Sequence, residues 1–264
     1  MRGLARSRKS ANPGSKANNQ TVNKMNGFET IIFHKSCRIA YVSLDRPKAL
    51  NAYSVRMRDE LYQVLEAVRE DSDVGVVIIT GEGRAFCAGA DLTEFGTTPS
   101  VTIARQVRWE RDIWGLFLSI PQPLIAAVHG YCLGSGMEIA LLCDMRVASE
   151  DAVFGLPEVG LGMIPAAGGT QTLPRAVGIP RALEILLTQR QVPAHEAVEL
   201  GLLNKVVVRE ALIPEAESLA HRLLALDQGV VRAAKAAVWK GADMPLDEAI
   251  DLEGRLAALA LMNK

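Results

Sequence analysis

Two kinds of hydrophobic pattern alternate along the chain. Val74–Thr80 and Leu124–Val128 are apolar runs, short enough for strands and apolar enough to be buried on both faces. Phe28–Phe33 and Arg38–Leu44 are rich in β-branched residues and predict a hairpin. Met145–Ser149 predicts a further strand. Between them the period becomes helical. Val55, Leu61, Val64, Leu65 and Val68 share one face of a helix that Ser54 caps and that runs to about Glu70. A long helix is predicted over Val101–Ser119 and a short buried one over Ser135–Cys143. Arg181–Thr188 and Ala194–Leu200 follow as helices, with Pro193 suiting the first turn of the second. Past Val208 come three helical patterns, near Ile213–Ala225, Gly229–Trp239 and Leu246–Leu261. Strand–helix alternation followed by helices predicts an α/β core over 26–208 and a helical subdomain over 209–264, preceded by a polar tail over 1–25.

Bulk properties narrow the picture. A chain of 264 residues, 49% hydrophobic, can bury one large core. No stretch approaches an uninterrupted membrane span. The net charge of −1 hides an asymmetry: Arg2, Arg6, Arg8, Lys9, Lys16 and Lys24 lie in the first 24 residues, which hold no acidic group. The remainder is therefore acidic, which argues against a nucleic-acid-binding core. The tail is poor in large apolar residues and is expected to be disordered. An organellar transit sequence, an appended leader, or an upstream start ahead of Met25 would each fit it. Its lack of an amphipathic apolar face favours the last two, hence a cytoplasmic protein, with the mitochondrial matrix as the alternative. Cys37, Cys87, Cys132 and Cys143 show no C-x-x-C pairing, and His34, His129, His195 and His221 have no metal-ligand spacing, so no metal site is expected.

The candidate chemistry lies in two glutamates, each inside a run of small residues. Leu133-Gly-Ser-Gly-Met-Glu138 has the S-x-x-E spacing of a capping box, so Glu138 either caps its own helix or faces a ligand at an electropositive helix N-terminus. Phe86-Cys-Ala-Gly-Ala-Asp91 is either an ordinary tight turn or a backbone close enough to donate to a carbonyl oxygen. Glu158 follows Pro157, and a lone loop glutamate is usually solvated. Together, two carboxylates and glycine-rich backbone suit acid/base chemistry beside an activated carbonyl. His129 reads as a structural hydrogen-bonding residue. G-x-S-x-G, dinucleotide and phosphate-loop motifs are all missing.

In order along the chain, Arg46-Pro-Lys-Ala-Leu-Asn51, Phe86-Cys-Ala-Gly-Ala-Asp-Leu92, Pro123–Glu138, Phe154-Gly-Leu-Pro-Glu158 and Ile164-Pro-Ala-Ala-Gly-Gly-Thr-Gln171 resemble the enoyl-CoA hydratase/isomerase (crotonase) family. The resemblance implies a spiral core of ββα units with C-terminal helices that build homotrimers, often paired into hexamers. It implies that the N–H groups of Ala88 and Ser135 form an oxyanion hole and that Glu138 and Glu158 are catalytic. It places Lys48, Ala49, Leu50, Gly89, Ala90, Asp91, Leu92, Gly134 and Pro157 against an acyl-CoA thioester. In the family, hydratases carry both glutamates and double-bond isomerases typically keep only the position of Glu158. The chain therefore resembles an enoyl-CoA hydratase of fatty-acid β-oxidation, a hydro-lyase needing no metal or redox cofactor, since CoA is part of the substrate. Isomerisation, or hydration of a branched, dienoyl or carnitine-type thioester, is the alternative. An RNA-binding relative has only the basic tail in its favour. Two departures stand out: the family usually has Gly where Ser135 stands, and a terminal segment resembling E-G-x-x-A-F-x-E-K-R-x-P has no counterpart at Ala260–Lys264.

Overall fold

The computed structural model describes residues 23–24, 27–96 and 111–262. Its main sheet contains β1 (Asn23–Lys24), β2 (Ile31–Ser36), β3 (Ile39–Leu44), β4 (Val76–Gly81), β5 (Leu124–Val128), β7 (Met145–Ser149) and β10 (Lys205–Val207), in the order β1-β2-β3-β4-β5-β7-β10. The first three strands are antiparallel and the rest run parallel from β3 onward. A smaller sheet places β6 (Tyr131–Leu133), β8 (Val153–Gly155) and β9 (Val192–Pro193) side by side. The expected hairpin is β2–β3, registered from Ile31↔Leu44 to Ser36↔Ile39. Cys37 and Arg38 link it with φ of 50° and 65°, the twist a two-residue hairpin turn requires. β1 falls within the stretch that composition reads as tail, while residues 1–22 lie outside the described residues.

The apolar runs are continuous because the sheet is covered on both faces. Val77, Ile79, Leu124, Ala126 and Val128 point to one core. There they meet α1 (Val55–Glu70), α2 (Ile113–Ser119) and α3 (Ser135–Leu142) through residues such as Leu61, Leu65, Phe117 and Ile139. The alternate residues Val76, Ile78, Ile125 and Ala127 point to the other core, closed by Leu212, Ala216 and Ala220 of α7 (Leu212–Leu224). In chain order between α3 and α7 come α4 (Gly169–Val177), α5 (Ile179–Thr188) and α6 (Ala194–Glu199), whose Leu173, Ile185 and Ala197 join the first core.

Of the three C-terminal helices, α7 belongs with the sheet. By contrast α8 (Gln228–Gly241) and α9 (Leu246–Met262) contain no fully buried residue and pack mainly on each other. One polar knot ties α8 to the body: Asp144 accepts from the Trp239 indole at 2.6 Å, the Lys235 ammonium at 2.7 Å and the Leu124 amide at 2.7 Å.

The helix predicted over Val101–Ser119 needs correction. Asp112 is the N-cap of α2, its carboxylate accepting the Gly115 N–H at 3.0 Å, so helix does not run through Arg111–Asp112. Residues 101–110 lie outside the described residues. Helix α4 was not foreseen; its Gly-Gly start and internal Pro174 mask it in the sequence.

Candidate active site

Backbone geometry assembles the site at the N-terminus of α3. Gly134, not Ser135, is the N-cap of this helix, so no capping box forms. The amide of Ser135, first in the helix, has no intrahelical acceptor and faces the electropositive end. Glu138 is 2% exposed, and its Oε1 accepts the Ala167 amide at 2.8 Å and the Gly169 amide at 3.0 Å. Gly169 is the first residue of α4, so a second helix N-terminus helps hold this carboxylate. Nothing near Glu138 in sequence signalled these partners, about 30 residues downstream.

The segment 86–91 lies alongside. Cys87 bonds to β6 through its N–H to Tyr131 O and its O to Leu133 N–H, both at 3.0 Å. The Ala88 N–H is donated to Leu50 O at 3.0 Å. This overturns the expected role of Ala88: a spent donor cannot also bind an oxyanion. Gly89, at φ 112°, then reverses the strand's alternation. Tyr53 takes up the Gly89 carbonyl at 2.8 Å and the Asp91 N–H at 2.9 Å. The Ala90 N–H between them therefore faces the other side, with no acceptor among the described residues. Ala90 and Ser135 thus each present an amide with no acceptor among the described residues, and both line one cavity.

Glu158 sits in a 3-10 turn, Pro157–Leu161, and is not the solvated loop residue that its surroundings suggest. Its Oε2 is buried without a hydrogen-bond partner among the described residues. Burial, aided by the charge of Glu138, raises its carboxyl from the ordinary 4.5 to about 7. A cavity of about 530 Å³ brings Ala88, Gly89, Ala90, Leu92, Gly134, Ser135, Glu138, Pro157 and Glu158 together, and Tyr53, Ile113, Trp114 and Met163 add mostly apolar wall.

The remaining candidates fall outside that cavity. Lys48 and Ala49 are exposed on a 3-10 turn, and Leu50 follows in a left-handed conformation. Asp91 is tied to Arg46 at 2.8 Å and to the Thr93 hydroxyl at 2.6 Å, so its carboxylate latches the loop. Buried Asn51 fixes the same loop, accepting the Arg46 N–H at 2.8 Å and donating to Glu82 O and Ala85 O at 2.9 and 2.7 Å. Burial pushes the Cys87 thiol up to about 12, so it is no nucleophile. His129 is buried outside that cavity, with the Gly83 backbone as a hydrogen-bonding neighbour of its ring. Among the described residues no group of three His, Cys, Asp or Glu is placed to hold a metal.

Residues 34–261 match the family described as enoyl-CoA hydratase/isomerase. The chain belongs to the enoyl-CoA hydratase/isomerase family. It is 42% identical to a putative enoyl-CoA hydratase/isomerase, YngF, of Bacillus subtilis over 85% of this chain and 87% of that protein. It is 40% identical to a crotonyl-CoA hydratase of Syntrophomonas wolfei, covering 86% and 87% respectively. The crystal structure of an enoyl-CoA hydratase from Bacillus anthracis superposes with a TM-score of 0.84 at 35% identity, over 89% of this chain and 92% of that one. Like those crotonase-fold relatives, the chain is mixed α/β with helices at its C-terminus.

Proposed function

We propose that this protein is a 2-enoyl-CoA hydratase that adds water reversibly across the 2,3 double bond of an acyl-CoA thioester. The observation that carries the reading is the unlike pair of glutamates in one cavity: Glu138 anchored by two amides, Glu158 half-buried with a raised carboxyl. Family members that isomerise typically keep only the position of Glu158, so the presence of both favours hydration. The thioester oxygen lies between the N–H groups of Ala90 and Ser135. Glu138 takes a proton from water as its oxygen bonds to C3. The C2–C3 π electrons move toward the thioester oxygen, where the two amides stabilise the enolate; one such donor is worth about 3 kcal/mol of barrier. Protonated Glu158 then delivers its proton to C2, and proton exchange with solvent resets both groups. No metal or redox cofactor takes part.

The exposed Lys48–Leu50 turn sits beside the 86–91 segment and is suited to the CoA portion, with Lys48 near its phosphates. The α8–α9 hairpin exposes Val238, Leu246, Leu261 and Met262, an apolar surface that assembly into a homotrimer or hexamer would cover. Fatty-acid β-oxidation in the cytoplasm or the mitochondrial matrix is the setting this chemistry fits. No helix among the described residues is long and apolar enough to cross a membrane.

Crotonyl-CoA tests the reading. Loss of the conjugated enoyl absorbance with 3-hydroxybutyryl-CoA as product is expected. A bound enoyl thioester that is isomerised or left unchanged would overturn it.

A further inference from the structure

Two arginines stand in the wall of an otherwise mostly apolar acyl cavity. Arg58, on α1, and Arg111, just ahead of α2, both line it, beside Tyr53, Ile113 and Trp114. They share one carboxylate. Arg58 Nε and Nη2 donate to Asp59 Oδ1 at 2.9 and 2.7 Å, and Arg111 Nη1 lies 2.7 Å from Asp59 Oδ2. Among the described residues, Asp112 caps its helix at the Gly115 N–H, Glu94, outside this cavity's lining, accepts the Val55 N–H, and Glu138, in the lining, accepts the Ala167 and Gly169 amides. Among the described residues, two guanidiniums share one aspartate and leave unused N–H donors on this part of the wall. Arg58 Nη1 and two of the three Arg111 nitrogens have no acceptor among the described residues. Arg58 is also poorly hydrated, its side chain only 16% exposed.

A wall built to hold an alkyl chain gains nothing from this arrangement, because burying hydrocarbon against a guanidinium strips the ion of water without replacement. An acyl chain that ends in a carboxylate supplies the missing acceptor, and guanidinium pairs bidentately with carboxylates. We propose that Arg58 and Arg111 select enoyl-CoA thioesters whose short acyl chain carries a carboxylate at its far end. The inference rests on the cavity being the acyl-CoA site of the proposed hydratase. A second source of anion, the phosphates of CoA itself, would use the same arginines, and the controls below separate the two.

Binding, which needs no turnover, is the primary test. Glutaryl-CoA and 5-methylhexanoyl-CoA have the same number and arrangement of heavy atoms and differ in a terminal carboxylate against two methyls. By calorimetry, glutaryl-CoA is expected to bind about 10- to 100-fold more tightly, the range of a charge-assisted pair. The Arg58→Met/Arg111→Met double variant is expected to abolish that ratio, the double lysine variant to keep part of it, and Asp59→Asn to raise it by freeing both guanidiniums. A merely structural role for the arginines would not raise the ratio in Asp59→Asn. Equal affinities, tighter binding of the alkyl ester, or an equal loss of acetyl-CoA affinity in the methionine variant would overturn the proposal. If crotonyl-CoA is not hydrated but the glutaryl preference holds, the reaction reading fails and the substrate class stands. If crotonyl-CoA is hydrated and the preference is absent, the reverse follows.

Discussion

A β-carbon on Gly134 would stand 2.9 Å from Glu158 Oε1 and 3.4 Å from the Gly89 α-carbon. Gly134 itself adopts φ 49° and ψ −125°, a region that side chains avoid. The absence of a side chain here lets the 86–91 backbone, the N-terminus of α3 and Glu158 converge on one point. The Gly134→Ala variant is expected to lose about 1–3 kcal/mol of stability. Its kcat/KM should fall about 100-fold, as a displacement near 1 Å in a catalytic constellation does. Crotonyl-CoA kinetics beside urea unfolding would check it; unchanged kinetics would mean that the convergence is not used.

Glu138 offers a cleaner separation of chemistry from fold. A glutamine there keeps an oxygen that accepts the Ala167 and Gly169 amides but cannot take a proton from water. Glu138→Gln should keep its acyl-CoA affinity and circular dichroism while hydration falls by about 10²–10⁴. Retained hydration would remove Glu138 from water activation.

Glu158 makes a pH prediction with a definite sign. As proton donor to C2 it must be protonated for hydration. With its carboxyl raised to about 7, kcat/KM for hydration should fall about tenfold per pH unit above 7. Dehydration runs through the same singly protonated pair, Glu158 taking the C2 proton and Glu138 returning one to the leaving water, so its kcat/KM should fall above the same pH at a constant ratio to hydration. Initial rates in both directions, from pH 5 to 9, would test this.

The same raised value penalises the folded protein. A carboxyl raised on folding favours the protonated state, so stability is greatest below the unfolded value of 4.5 and declines as pH rises through 7. Glu158→Gln removes that decline. Because the group is only partly buried, the gain is about 1 kcal/mol, or about 2 °C in Tm, at pH 8. At pH 4 no gain is expected in a thermal melt.

Asn51 tests the loop that flanks the site. Its side chain satisfies one N–H and two carbonyls from three places in the chain, and it is fully buried. Asn51→Ala should cost about 2–4 kcal/mol, seen as a lower urea midpoint at constant slope, because those backbone groups are left unpaired.

Much of this was legible beforehand, for physical reasons. Val76–Ile79 and Leu124–Val128 announce buried strands because both faces of the sheet are covered, so no polar residue interrupts them. Val55–Glu70 announces itself because one face packs on the core and Ser54 caps it. The ordered glycine-rich motifs with Glu138 and Glu158 were sufficient to point to the family. Sequence by itself thus determined the strands, the amphipathic helices and the carboxylate pair, since these depend on local patterning and residue type.

Tertiary structure alone decided the rest. Whether Ala88 or Ala90 presents a free amide depends on the φ of Gly89 and on where the Leu50 carbonyl lands, neither of which is written in residue type. The break ahead of α2 turns on an aspartate cap within an otherwise helical pattern. The anchoring of Glu138 by Ala167 and Gly169, the raised carboxyl of Glu158 and the sharing of Asp59 by Arg58 and Arg111 all come from contacts between separate segments. Such contacts set hydrogen-bond direction and desolvation, and those two quantities exist only once the chain has closed around the cavity.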